Sequence, residues 1–144
     1  MPHALLDTTV LFAAAYRRDA NHDAGLPILR GIDNGSLPQV IVLDYVLAET
    51  LNGLVTNSGN DAAVDLLDRI ERNDRFQIAT FTADELSAGK SLFRRYDSLS
   101  FVDSCIAAYM QAESISYLYA FDDDFDVLDG VRRLDTTVNP YEPE

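Results

Sequence analysis

Residues 2–18, PHALLDTTVLFAAAYRR, are the stretch that determines the fold class of this chain. The apolar run HALL predicts a short buried strand that ends at Asp7, and TTVLFAAAYRR predicts a helix that follows without a long loop. A strand that leads directly into a helix is the repeating unit of parallel sheets covered by helices.

The same alternation continues along the chain. Three further strands are predicted, at PQVIVLD (38–44), RFQIATF (75–81) and ISYLYAF (115–121). Further helices are predicted at LPILRGIDNG (26–35), DYVLAETLNGLVTN (44–57), AAVDLLDRIER (62–72), TADELSAGKSLFRRY (82–96) and SFVDSCIAAYMQAE (100–113). The segment DDDFDVLDGVRRLD (122–135) is expected to hold a short turn and a last edge strand. Together these elements predict a three-layer α/β/α fold with a central, mostly parallel sheet of four to five strands.

Two local patterns define helix ends and faces. Thr82 and Glu85 have the spacing of a capping box, and Asp44 is expected to be the N-cap of the helix that follows it. In that helix an apolar stripe is predicted, and Glu49 points away from it. The stripe consists of Leu47, Leu51, Leu54 and Val55.

Length and composition indicate one globular domain. The chain has 144 residues with 47% hydrophobic content, enough for a full core, and we expect the domain to span residues 1–138. Residues 139–144, which include two prolines, are expected to be a frayed tail. The start lacks the pattern of a signal peptide and no apolar run approaches the roughly 18 residues of a membrane span, so a cytoplasmic protein is expected.

The cysteine and histidine content restricts metal chemistry. With one cysteine, Cys105, and two histidines, the chain offers neither an intramolecular disulfide nor a cysteine–histidine cluster for zinc. Any metal must therefore be held by oxygen.

The charge balance is strongly acidic. There are 24 acidic residues against 11 basic ones, which gives a net charge of −13 and counts against binding of nucleic acid at low salt. Lys90 is the single lysine, and an acidic, lysine-poor surface resembles the proteins of extreme halophiles, where molar salt screens the repulsion. The alternative is an acidic protein of a mesophile that binds a basic partner.

Four acidic residues lie where short apolar stretches end. Asp7 and Asp122 each follow a predicted strand, so both are expected at the edge of the sheet where parallel strands have their carboxyl ends. Asp103 lies in the first turn of its helix, where capping explains it as well as a site does, and Glu49 suits a solvated face as well as a cleft. The crowded acids after residue 121 repel one another unless a cation intervenes.

The order of these motifs resembles the PIN domain and, more narrowly, the VapC-type toxin ribonucleases. The resemblance covers Asp7 to Phe125 and rests on D-T-T-V, V-L-A-E-x-x-N-G-L, L-S-F-V-D-S-x-I-A-A and F-D-D-D-F in this order. It implies a metal-dependent endoribonuclease that uses Mg²⁺ or Mn²⁺. The catalytic residues implied are Asp7, Glu49, Asp103 and Asp122, and the metal ligands implied are Asp7, Asp103, Asp122 and Asp124.

The resemblance also assigns supporting positions. Thr9 matches the hydroxyl residue of the first motif, whereas Ala120 stands where the family often has Thr or Ser, which puts one hydrogen bond to substrate in doubt. Glu49 is expected to act through water or to orient the nucleophile. Arg94 and Arg95 are candidates for gripping RNA phosphates, although arginines also cover apolar surface or pair with acids.

The resemblance implies partners and leaves alternatives open. A toxin would cut RNA and be covered by a small antitoxin protein, and homodimers are common in the family. The alternatives are a PIN nuclease in RNA processing and a non-catalytic PIN-like binding module. A haloacid-dehalogenase-like phosphatase would need a second aspartate where Thr9 stands, and a receiver-like domain would need a lysine after a late strand, which Lys90 does not provide.

Overall fold

The computed structural model describes residues 3–142. Within this range strands and helices alternate along the chain as the apolar runs predict. The strands are β1 (His3–Leu6), β2 (Gln39–Leu43), β3 (Phe76–Ala79), β4 (Tyr117–Tyr119) and β5 (Arg132–Leu134). The helices are α1 (Thr8–Ala15), α2 (His22–Asn34), α3 (Asp44–Ser58), α4 (Asn60–Arg72), α5 (Ala83–Arg95) and α6 (Phe101–Glu113), with a short 3₁₀ helix at Asp123–Val127.

The strands form one sheet in the order β3-β2-β1-β4-β5, and every neighbouring pair is parallel. The chain moves outward in one direction from β1 to β3, then crosses back to β4 on the other side of β1. Because crossovers between parallel strands are almost always right-handed, the reversal of direction puts α5 and α6 on the opposite face from α1 to α4. The expected three-layer α/β/α fold with a parallel central sheet is confirmed.

Strand β1 is the centre of the sheet and of the core. Leu5 pairs with Ile41 on one side and Leu118 on the other, and both Leu5 and Leu6 are fully buried. The chain order reverses between β1 and β4, so the crevice at the carboxyl ends of these two strands is where a sheet of this type binds ligands.

Two pairs of helices pack closely at positions where one helix of the pair has a glycine, which has no side chain. A Cβ on Gly53 of α3 would lie 3.1 Å from the ring of Phe12 on α1, and a Cβ on Gly89 of α5 would lie 3.0 Å from the sulfur of Cys105 on α6. These contacts fix how α3 lies beside α1, and how α5 lies beside α6.

Two expectations about local structure are wrong. Helix α2 begins at His22 rather than at residue 26, because the His22 ring donates from Nδ1 to the Ala13 carbonyl at 2.7 Å and ties this turn to α1. Asp44 is the first residue of α3 rather than its N-cap, since β2 runs straight into the helix and extended Leu43 is the cap residue. The predicted stripe on α3 packs against the core through Leu47, Leu51 and Leu54, whereas Val55 is 47% exposed. The buried residues of α3 are Val46, Thr50 and Leu54.

Segment 139–142, part of the expected tail, makes contacts with the domain. Tyr141 donates from its hydroxyl to the His3 carbonyl at 2.8 Å, and its ring lies 5.3 Å from that of Tyr117. Asn139 donates to the Ser36 carbonyl at 3.1 Å. Residues 143–144 lie outside the described part of the chain.

Across residues 3–142, no helix has both the length and the apolar character needed to cross a bilayer.

Candidate active site

Asp7 follows β1 and is the N-cap of α1. Its Oδ2 accepts hydrogen bonds from the Thr9 hydroxyl at 2.6 Å and from the Thr9 backbone N–H at 3.2 Å. The side chain is only 2% exposed, and burial raises the pKa of Asp7 to about 6 even though the bonds from Thr9 oppose that rise. The Asp7 carboxylate lies at this edge of the sheet because Asp7 is the one residue between the end of β1 and the start of α1.

Asp122 is brought beside Asp7 by the pairing of β1 with β4. The Asp7 backbone N–H donates to the Tyr119 carbonyl at 3.0 Å, and the Phe121 N–H donates to the Thr9 hydroxyl oxygen at 3.0 Å. The chain then turns into the 3₁₀ helix, where Asp122 Oδ1 accepts the Asp124 N–H at 2.9 Å. The charge of Asp122 raises the pKa of Asp124.

Asp103 reaches the same edge from the start of α6. Ser100 caps this helix and accepts the Asp103 N–H on its hydroxyl at 3.1 Å, which is the expected capping arrangement. The Asp103 carboxyl is 7% exposed, and its pKa is raised to about 7 by burial first and then by the charges of Asp7, Asp122 and Glu49. An aspartate in the first turn of a helix is explained by capping alone. The Asp103 carboxyl also interacts with the charges of Asp7, Asp122 and Glu49.

One set of carboxylate oxygens is close enough to share a cation. Asp103, Asp122 and Asp124 each offer an oxygen, and these three atoms lie within 4.8 Å of one another. Asp7 is not in this set, although its charge contributes to raising the pKa of Asp103. The four carboxylates expected as metal ligands therefore divide into a close group of three and a buried neighbour.

Glu49 stands at the rim, exposed to solvent on α3. Helices α1 and α3 follow neighbouring parallel strands and run the same way, and Gly53 of α3 touches Phe12 of α1. Glu49 lies one turn before Gly53 on α3 and Thr8 lies one turn before Phe12 on α1, so the two residues occupy corresponding positions on neighbouring helices. The contribution of Glu49 to the pKa of Asp103 agrees with that position.

The arginine candidates lie outside the acid group. Arg94 and Arg95 are exposed in the last turn of α5, and the Arg95 guanidinium lies 5.3 Å from the centre of the Tyr96 ring. Arg133 has a structural role instead, since it pairs with Asp126 through two bonds of 2.9 and 3.1 Å and also lies 3.7 Å from Asp135. At Ala120, where a hydroxyl was expected, the side chain is fully buried.

Asp44 lies at the same edge of the sheet as the other acids, although its sequence position predicted only a helix cap. It directly follows β2, the strand next to β1, and its charge contributes to raising the pKa of the Cys105 thiol to about 11 after the larger effect of burial. Its position after an apolar strand was the signal that could have placed it at this edge.

The comparison with protein families decides the class of the domain. A family model described as PIN domain matches residues 4–131. The chain belongs to the PIN domain family. The resemblance seen in the four acidic motifs is confirmed. A search of curated proteins found no significant match.

Solved structures with the same fold include toxins and toxin–antitoxin complexes. The chain is similar to VapC20 of Mycobacterium tuberculosis, described as a sarcin–ricin loop cleaving toxin, at 27% identity and a TM-score of 0.76, with 95% of this chain and 99% of that chain covered. A toxin–antitoxin complex from Klebsiella pneumoniae matches at 20% identity and a TM-score of 0.65, covering 94% and 98%. VapBC2 of Rickettsia felis, bound to a DNA fragment from its promoter, matches at 18% identity and a TM-score of 0.68, with 92% of this chain and 97% of that chain covered. The last two show the fold alone.

Proposed function

We propose that this PIN domain is a metal-dependent endoribonuclease that acts in the cytoplasm as the toxin of a type II toxin–antitoxin pair. The observation that carries the proposal is the convergence of Asp103, Asp122 and Asp124, whose oxygens lie within 4.8 Å of one another, beside the buried Asp7. Full-length similarity at 27% identity to a toxin that cleaves the sarcin–ricin loop supports an RNA substrate.

The donor set fits a hard divalent cation. Every donor is a carboxylate oxygen, which Mg²⁺ and Mn²⁺ prefer. Burial first, and then the charges of neighbouring carboxylates, raise the pKa values of Asp7 and Asp103, so a bound cation would favour the ionised form of both. We assign Asp103, Asp122 and Asp124 to hold the cation, with Asp7 completing the set.

The chain itself supplies positioning and proton handling. When bound, a divalent cation contributes Lewis-acid activation of water and neutralises charge on the phosphodiester. Thr9 holds the Asp7 carboxylate in one orientation through its 2.6 Å hydrogen bond. Glu49, exposed at the rim, is placed to accept a proton from the attacking water and so orient it.

The decisive experiment is RNA cleavage with Mg²⁺ or Mn²⁺ at high salt. We expect Asp7→Asn to lose more activity than the roughly 10- to 100-fold that removal of an outer-shell partner costs. Asp74→Asn, which changes an exposed acid in the α4–β3 loop, is the matched control and should cleave like wild type. Equal cleavage by wild type and Asp7→Asn, or none by wild type with either metal, would rule out the nuclease.

The toxin role has a separate test. Expression of the wild-type chain should arrest growth, and Asp7→Asn should not. Co-expression of the small protein encoded next to it should restore growth and should yield a stable complex on purification. Cleavage of RNA without growth arrest would favour the alternative of a PIN nuclease in RNA processing. Light scattering of the purified chain tests whether it forms the homodimer that is common in the family.

A further inference from the structure

Two aromatic residues lie at the same edge of the sheet as the acids. Tyr45 and Phe81 each come two residues after the last residues of β2 and β3, Leu43 and Ala79, which pair with each other. The two rings are in contact, with their centres 4.8 Å apart and their planes tilted by 53°. We call these two residues the aromatic pair.

The register of the sheet places the aromatic pair relative to Asp7. Strands β1 and β2 are paired at Leu5 and Ile41, so Asp7 is level with the end of β2. Residues that are level in neighbouring parallel strands point to the same face of the sheet. Tyr45 therefore follows the strand next to Asp7, about 5 Å to its side, and Phe81 follows the strand beyond, about 10 Å away.

Helix α6 connects the aromatic pair with the acids. The ring of Phe81 lies edge to face with that of Tyr109 on α6, with centres 6.3 Å apart. The same helix carries Asp103, whose pKa is raised by burial and then by the charge of Asp7. Asp7 and the aromatic pair therefore both lie next to α6, at the ends of neighbouring strands.

A second relationship, within α3, also places Tyr45 beside the acids. Tyr45 and Glu49 are four residues apart on this helix, so their side chains are neighbours on one side of it. The charge of Glu49 contributes to raising the pKa of Asp103, after burial and the charges of Asp7 and Asp122. The sheet register and the helix spacing therefore agree that the aromatic pair borders the acidic site.

The aromatic pair is accessible to a ligand. Both rings keep part of their surface in solvent, whereas Tyr109 is only 7% exposed. Phe81 also packs against the core. Within residues 3–142 the Tyr45 hydroxyl donates to no acceptor, whereas the hydroxyls of Tyr119 and Tyr141 donate to backbone carbonyls. Tyr45 is therefore the member of the pair that can change without loss of core packing.

We propose that the aromatic pair stacks on a base of the RNA substrate next to the scissile bond. Phosphates close to several carboxylates are repelled unless a cation lies between them, so a contact that needs no positive side chain suits this edge of the sheet. Aromatic rings bind bases through their faces, and salt does not screen that contact as it screens a contact between charges. This inference rests on the proposed function, since it describes how the same site holds its RNA.

Two substitutions of Tyr45 separate stacking from other effects. Tyr45→Leu keeps apolar area but removes the aromatic face, and Tyr45→Phe keeps the face without the hydroxyl. With a long single-stranded RNA of mixed sequence, we expect Tyr45→Leu to raise KM about tenfold with little change in kcat, and Tyr45→Phe to stay within about twofold of wild type. An equal rise in KM for both variants would assign the effect to the hydroxyl and would contradict stacking.

Tyr141→Leu is the matched control. Tyr141 also contacts a second aromatic ring, that of Tyr117, but it lies at the opposite edge of the sheet, where its hydroxyl donates to the carbonyl of His3 at the start of β1. The same change of tyrosine to leucine should leave KM for RNA unchanged there. An equal rise in KM would show that loss of any aromatic pair has this effect, and would overturn the inference.

The salt dependence of KM gives a further readout. The ratio of KM between Tyr45→Leu and wild type should be the same at about 0.2 M and about 2 M KCl, because stacking releases no counterions. A ratio that falls towards one at high salt would mean that the substitution acts through charge, which contradicts stacking.

A second measurement does not depend on cleavage. Oligouridine RNA crosslinked by ultraviolet light to the Asp7→Asn protein, with Mg²⁺ and molar KCl present, should label the peptide that contains Tyr45. Tyr45→Leu in the same background should lose this label while circular dichroism shows a folded protein. Labelling of other peptides only would overturn the inference.

The outcomes distinguish this inference from the proposed function. If wild type cleaves RNA while Tyr45→Leu keeps the wild-type KM and Tyr45 is not labelled, the aromatic pair does not bind a base and the nuclease proposal stands. If Tyr45→Leu lowers kcat alone, the ring acts on Glu49 rather than on a base, and the inference is overturned.

A protein contact and a failed nuclease also give distinct results. If Tyr45→Leu acts normally on RNA but no longer binds the small protein encoded next to this chain, the aromatic pair is a protein contact and the inference is overturned. If wild type cleaves no RNA with either metal, the proposed function fails and this inference fails with it.

Discussion

The Thr9 hydroxyl joins two strand ends of the site: it donates to Asp7 Oδ2 at 2.6 Å and accepts the Phe121 backbone N–H at 3.0 Å. Asp7 follows β1 and Phe121 immediately precedes Asp122. One hydroxyl therefore fixes the orientation of Asp7 and the path of the chain that carries Asp122. These two hydrogen bonds predict that Thr9 positions the two acids.

Thr9→Val should lose both hydrogen bonds while keeping the shape of the side chain. We expect a loss of about 1–3 kcal/mol in the free energy of unfolding, because the Phe121 N–H is left without its partner, together with a loss of cleavage activity. Urea denaturation and RNA cleavage measure the two effects. Thr9→Ser is the control that keeps the hydroxyl and should be close to wild type; equal damage by Ser and Val would show that the methyl group matters instead.

Much of the fold was predictable because its signals are local. Apolar runs predicted β1 to β4, the spacing of Thr82 and Glu85 predicted a capping box that the structure confirms, and Ser100 marked the start of α6. The rule that parallel strands share an edge then predicted that Asp7 and Asp122 would meet.

The failures came from contacts between distant residues. The start of α2 depends on the His22 bond to Ala13, so it could not be found from propensity. The division of the acids into a close group of three and a buried Asp7 depends on side-chain geometry at the 3₁₀ helix, which the sequence pattern does not encode.

The run of three aspartates gives a matched set of variants. Asp122 and Asp124 belong to the group whose oxygens lie within 4.8 Å, and the exposed Asp123 between them does not. Asp122→Asn and Asp124→Asn should each weaken Mn²⁺ binding by at least about tenfold, measured by calorimetry, because each removes a charged donor. Asp123→Asn should bind almost as wild type. An equal loss in all three would mean that total charge, rather than geometry, determines binding.

Stability in the absence of metal should fall as the pH rises. An acid whose pKa is higher in the folded protein than in the unfolded one favours folding below the unfolded value of 3.8, and this contribution is lost as pH rises through about 6 for Asp7 and about 7 for Asp103. The loss is on the order of 3 kcal/mol for Asp7. Urea unfolding with a chelator between pH 4 and pH 8 measures it, at high salt to suppress general repulsion.

Two controls identify the source of that pH dependence. Asp7→Asn cannot ionise at this position, so the pH profile should become less steep while the contribution of Asp103 remains, and added Mg²⁺ should stabilise wild type more at pH 8 than at pH 5. A profile that is equally steep in Asp7→Asn would assign the effect to other acids.

KCl should continue to stabilise the folded protein at concentrations well above the physiological range. A net charge of −13 favours expansion, and the Debye length shortens from about 10 Å at 0.1 M to about 3 Å at 1 M. We expect the midpoint of thermal unfolding to rise continuously with KCl up to the molar range. Sucrose, which favours burial without screening charge, is the comparison. A midpoint that levels off at low KCl, or rises equally with sucrose, would contradict adaptation to extreme salt.

The close approach of α3 to α1 should control the position of Glu49. A side chain on Gly53 meets the Phe12 ring at 3.1 Å, so Gly53→Val should push α3 outward and cost about 1–3 kcal/mol in the free energy of unfolding. Because Glu49 lies one turn away, kcat should fall while KM for RNA changes little. Phe12→Ala on the Gly53→Val background opens space and should restore part of kcat. If kcat stays low in the double variant although the protein is folded by circular dichroism, the helix spacing is not what positions Glu49.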